Sequence, residues 1–196
     1  SSLLSLVRYY LPFDKKSVLI NFFKERISVG EIIIIDKILE ECEFVSKGIV
    51  LKKLEFLNEK LFLKENKLPI NTEFILPPSP VKFYRQVDNQ FINGIMKNKL
   101  SPVEYQNRKN DFLNSADIKL ILFCLNFKKE DSKEEIFLIT EETEDSNDSK
   151  VFKKIPAICN ILEIVTMTLP QLFEKYKGID LEFKLNPYNN PLSLNF

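Results

Sequence analysis

The residues best suited to chemistry in this chain are carboxylates, and three groups of them sit beside apolar runs. Asp36, Glu40 and Glu41 follow Ile32–Ile35; Asp117 opens an apolar stretch; Thr140, Glu141 and Glu142 follow Ile136–Ile139. At the carboxyl ends of strands in an open parallel sheet, such acids face one crevice. Like charges gathered there repel, and a divalent cation relieves the repulsion. Oxygen donors without imidazole or thiolate select Mg²⁺ or Mn²⁺. Ions of that kind activate water and stabilise in-line displacement at phosphorus, which is nuclease chemistry. The 196 residues contain no histidine. That absence removes Ser-His-Asp and Cys-His catalysis and nearly every zinc site.

Each acid also has a plain structural reading. Asp117 can complement a helix dipole in its first turn. Glu41 can be a solvated face of an amphipathic helix. Glu141 and Glu142 begin a run that also holds Glu144, Asp145 and Asp148, and such runs are usually solvated. Asp36 reads best as a helix cap. Spacing alone does not choose between these readings and a site.

The basic and acidic residues number 28 each, so bulk positive charge cannot grip nucleic acid and any basic surface is local. A chain that is 44% hydrophobic and 29% charged can bury a core, and its length suits one domain. Cys42, Cys124 and Cys159 are dispersed in apolar stretches and form no CxxC pair. They read as small hydrophobes of a reducing compartment. No apolar run reaches the roughly 20 residues of a membrane span, and the opening SSLLSLVRYYLPFD lacks a signal-peptide pattern. The expectation is a cytoplasmic protein with no membrane partner. Only four glycines are present, with neither GxGxxG nor GxxxxGK[ST].

The elements that must position the acids follow from periodicity and caps. Asp14 caps a helix over about 15–29, with Gly30 at its C′ position. The four isoleucines 32–35 describe a strand buried on both faces, and Asp36 opens a helix over about 37–46. Residues 49–63 and 80–97 each read as one helix, with Pro69 and the PPSP run at 77–80 as breaks. Ser101 to Glu104 forms a capping box for a helix to about Leu113, and this region reads as helical decoration. Ser115 caps an apolar helix. Ile136–Ile139 and Glu163–Met167 are short strands, with a helical turn at KIPAICNIL between them. Thr168 to Gln171 caps a last helix to about Tyr176, and residues 181–185 alternate like an edge strand. The sum is an α/β domain with a parallel sheet and right-handed crossovers.

The strings RYYLPFD (8–14), IIIIDKILEEC (32–42), SADIKLI (115–121), FLITEE (137–142) and KIPAIC (154–159) occur in this order. Together they resemble the PIN-domain superfamily, in a PIN-like branch related to VapC-type toxin ribonucleases. The matching parts are roughly 1–46 and 114–176. The resemblance implies a three-layer α/β/α sandwich with a mostly parallel central sheet, in one domain over 1–196. It leaves a helical insertion at about 48–113 and a tail at 178–196.

The resemblance also implies a Mg²⁺- or Mn²⁺-dependent endoribonuclease. The family's acidic positions fall on Glu41 (Glu40 in the alternative register), Asp117 and Glu142 (Glu141 as the alternative). Thr140 is the hydroxyl residue of the same motif, and Ser1 supports the site. The family's first aspartate and its strand are expected one or two residues before Ser1. RNA is the implied substrate, gripped by Lys15, Lys16, Arg8, Arg85 or Arg108. A toxin of this kind, in a toxin–antitoxin or defence system, would be held by an antitoxin over the acidic cleft, and a homodimer is a further expectation. The rival reading is a catalytically incomplete PIN-like module that acts by binding protein.

Overall fold

The computed structural model describes residues 2–129, 135–143, 150–176 and 179. The chain opens with helix α1 (Ser2–Ser5), a π turn (Leu6–Tyr10) and a 3₁₀ turn (Leu11–Phe13). Helix α2 (Val18–Ser28) follows. The Asp14 carboxylate accepts hydrogen bonds from the N–H groups of Val18 (2.7 Å) and Leu19 (2.8 Å), the orphan donors at that helix's start. Gly30 takes φ +79°, as a left-handed C′ residue does.

The isoleucine run does not form a strand of four. Only Ile35 pairs, in a parallel bridge with Ile70, because the neighbouring chain runs alongside it for a single residue. Asp36 then opens α3 (Asp36–Phe44). Its carboxylate accepts from the N–H of Lys37 and from both N–H and hydroxyl of Thr72, so one side chain starts the helix and pins the returning chain.

The expected helix over 49–63 is broken into α4 (Ile49–Lys53), a 3₁₀ turn (Glu55–Asn58) and α5 (Lys60–Glu65). A straight helix would turn Phe56 away from Leu54 and Leu57. The tighter turn buries all three and leaves Leu61 exposed. The expected helix over 80–97 is also divided, into α6 (Pro80–Asn89) and α7 (Gly94–Lys97). Residues 91–93 leave the helix to pair with 151–153, through Asn93 N–H to the Val151 carbonyl and Lys153 N–H to the Phe91 carbonyl, both 2.8 Å.

Helix α8 (Pro102–Asn114) starts from the complete Ser101–Glu104 capping box. Helix α9 (Ala116–Lys129) leads to β1 (Phe137–Ile139), α10 (Ile155–Ile161), β2 (Val165–Met167) and α11 (Leu169–Lys175). A second complete box, Thr168 with Gln171, caps α11. The two strands are parallel, with Leu138 opposite Thr166. The architecture is therefore mixed α/β and mostly helical, with a small two-stranded parallel sheet.

Two apolar clusters lie about that sheet. The first joins the amino-terminal turns, α2, α4, α5 and α11; the second joins α6, α9, α10 and Ile164. Strand alternation divides β1 between them: Leu138 belongs to the second cluster and Ile139 packs on the first. The edge strand expected at 181–185 and most of the loop at 128–135 lie outside the described residues.

Candidate acidic site

Asp117 sits in the first turn of α9. The residue is open to solvent on one side, while its carboxyl stands over packed protein on the other. That loss of hydration is the first cause that lifts its pKa to about 6; the negative charges of Glu142 and Glu41 follow, and both raise it further. Glu41 of α3 and Glu142 of the loop after β1 are thus both within electrostatic reach of Asp117 in α9. Among the described residues, neither the Asp117 nor the Glu41 side chain accepts a hydrogen bond or joins an ion pair. Lys150, an exposed cation, is among the positive charges that act against Glu142 and Glu41 and lower the Asp117 pKa.

The two registers left open by the sequence are separated by hydrogen bonding. Glu141 Oε1 accepts from the N–H of Leu169 at 2.6 Å, which caps α11, and its charge raises the pKa of Tyr10 after burial does. Glu142 instead faces Asp117; one of its oxygens accepts from Ile155 N–H at the start of α10, at 3.1 Å. Thr140 is buried. Its N–H extends the ladder to the Met167 carbonyl, and its hydroxyl accepts from Glu142 N–H at 3.1 Å, which fixes where Glu142 begins. In α3, Glu40 is paired with Lys37 at 2.7 Å, so Glu41 is the member of that pair that reaches Asp117. Ser1 lies outside the described residues. Ser2 donates its hydroxyl to the Ile139 carbonyl at 2.9 Å, which places the chain's start beside the end of β1.

Beneath these acids the wall is apolar and reduced. Cys159 in α10 is fully buried, and its thiol is pushed up to about 12 by burial first, then by Cys124 and Asp117. Cys42, one residue after Glu41, is raised to about 11 by burial and by Glu41. Thiols so raised are not nucleophiles at neutral pH. All three cysteines are free and buried.

The carboxylate donors suit a hard divalent ion in kind. Among the described residues, however, no group of three or more Asp, Glu, Cys or His is close enough to hold a metal as it stands. Of the cations expected to grip substrate, Arg8 donates to the Ser46 hydroxyl just past α3. Arg85 lines a shallow apolar depression with Ser79, Pro80, Val81 and Lys82. Arg108 lies near Glu104 on α8, and Lys15 and Lys16 are exposed. Sequence reasoning missed Lys150. The signal for it was weak, one lysine at the end of a polar loop, and only the pairing of 151–153 with 91–93 gives it an address.

Among the described residues no helix is long and apolar enough to cross a membrane. No curated protein matches the chain, and no solved structure matches it either. A family model described as a domain of unknown function, DUF4411, matches residues 78–178, just over half of the chain and a span that includes Asp117 and Glu142. The chain belongs to the DUF4411 family.

Proposed function

We propose that this protein is a PIN-like nuclease that cleaves RNA phosphodiesters with Mg²⁺ or Mn²⁺ at Asp117, Glu142 and Glu41. The observation that carries the reading is Asp117: an acid raised to about 6, without a hydrogen bond among the described residues, between two further acids. Folding sets Glu142 and Glu41 where their charges raise the Asp117 pKa, and a divalent cation is the kind of partner that relieves such a group. The division of Leu138 and Ile139 between two clusters supports a three-layer sandwich around β1.

A bound ion would supply positive charge for the phosphorane-like transition state and a water of lowered pKa. The protein's own groups have separate parts. Asp117 and Glu41 offer carboxylate oxygens that accept no hydrogen bond among the described residues. Glu142 keeps one oxygen on Ile155 N–H, and its charge acts on Asp117. Thr140 fixes the Glu142 backbone, and Lys150 offers an ammonium to a phosphate oxygen at the edge of the group. The cytoplasmic setting, the antitoxin and the homodimer belong to this same proposal.

The test is cleavage of a labelled single-stranded RNA by the full-length protein in Mn²⁺. Cleavage that is abolished by EDTA and falls at least a hundredfold in Asp117→Asn is the expected result. Wild-type protein that neither cuts RNA nor binds Mn²⁺ by calorimetry would leave the binding module as the better account.

A further inference from the structure

Two aromatic rings lie bare on the two segments that the Arg8–Ser46 hydrogen bond joins. Phe44, the last residue of α3, is 80% exposed, and Tyr9 is 65% exposed. Neither ring packs on another among the described residues. Phe44 is three residues beyond Glu41, so the two share one face of α3. Glu43 points about 100° away around the helix. The Arg8 guanidinium donates to the Ser46 hydroxyl and fastens the Arg8–Tyr9 turn to the end of α3, across 38 residues of sequence.

The chain leaves α3 through three successive left-handed residues, Ser46 (φ 52°), Lys47 (φ 60°) and Gly48 (φ 70°). Two of them are not glycine, which is strained backbone. Its consequence is that Ser46 meets Arg8 and Lys47 stays exposed. Phe44 and Lys47, with the Arg8–Tyr9 turn tied to Ser46, therefore meet at the end of the helix that carries Glu41.

We infer that Phe44 and Tyr9, with Arg8 and Lys47, form a stacking platform for unpaired bases of a single-stranded RNA entering the acidic site. The complementarity is specific in kind: a single strand offers flat bases to the rings and phosphates to the cations, whereas a duplex hides its bases. A net-neutral protein needs such a local device, since its bulk charge attracts no polyanion. The choice of RNA rests on the nuclease reading; the platform itself is independent of metal.

Binding is therefore measured in EDTA, where no cleavage occurs, by fluorescence anisotropy with a labelled twelve-nucleotide oligoadenosine and a duplex RNA of equal length. The single strand binds the wild type more tightly than the duplex does. Phe44→Ala and Tyr9→Ala each weaken single-strand binding about tenfold. Phe44→Trp restores it, and Phe44→Leu, apolar without a π face, does not. Single-strand binding unchanged in Phe44→Ala and Tyr9→Ala, full binding by Phe44→Leu, or no binding by the wild type would each overturn the platform. Platform-dependent binding by a wild type that never cuts RNA in Mn²⁺ would instead overturn the nuclease reading and leave the platform standing.

Discussion

At the residue scale, Asp117 ties stability to function. Its folded pKa, about 6, lies above the ordinary 3.8, so between those values the folded state holds more protons than the unfolded one. Stability therefore falls as pH rises from about 4 to 6 and stays lowered above that. Because the residue is open to solvent, the loss is discounted to on the order of 1 kcal/mol. Asp117→Asn removes the charge, so it should melt higher than wild type at pH 7, match it near pH 4, and cut no RNA. Thermal melts across that range check the sign. Glu141 and Glu142 should part in the same way. Glu141→Ala leaves the Thr168 box but loses the acceptor for Leu169 N–H, about 1 kcal/mol, and keeps cleavage, whereas Glu142→Gln keeps most stability and loses cleavage. Denaturant melts and RNA cleavage of the two variants separate the roles.

At the scale of elements, the region over 80–114 holds the segment that leads into α10. Phe152 stacks on Phe112 with centroids 4.0 Å apart and planes 5° from parallel, and it bridges to Ile92. Lys109 and Tyr105 of α8 both bond Asp88 of α6, at 2.6 and 2.7 Å, which holds these two helices as a unit. The segment so held runs from Lys150 to Ile155, the residue that bonds Glu142. Phe152→Ala should cost about 2 kcal/mol, less than a fully buried phenylalanine, and should lower cleavage by misplacing Lys150 and Glu142. A denaturant melt reads the first effect and a cleavage rate below saturation the second.

Much of this scale was legible in sequence. The two capping boxes, the Asp14 cap and the Phe83–Val87 face of α6 depend on local chemistry, and the structure keeps them. The same spacing extended to Phe91 and Ile95 is not kept as one helix face, because Phe91 is buried outside α6 and Ile95 is exposed. The breaks at 54–59 and 90–93 were not legible. They arise where burial of Phe56 and pairing of Ile92 with Phe152, 60 residues away, override a continuous apolar pattern. Four isoleucines announced a strand, but how much of it pairs is decided by a neighbour at Ile70. At the site, the acids were legible as residue types. Which of Glu40 or Glu41 and of Glu141 or Glu142 turns toward Asp117 depends on Lys37 and Leu169, partners that spacing does not reveal.

At the scale of the whole molecule, equal numbers of acidic and basic residues make any polyanion contact local. If Arg8, Lys47 and Lys150 each meet a phosphate, as proposed, log K against log salt for single-stranded RNA should have a slope of about −2. A slope far steeper would mean a larger basic surface than these residues form. The central claim, that three acids wait for a divalent cation, is tested most directly by the titration of Asp117 itself. Carbon-13 NMR of the side-chain carboxyl, with Asp117→Asn for assignment, would follow it in EDTA and again in millimolar Mg²⁺. The account predicts a pKa near 6 without the ion and a fall of more than one unit with it. A carboxyl that titrates near 4 and ignores Mg²⁺ would contradict the account.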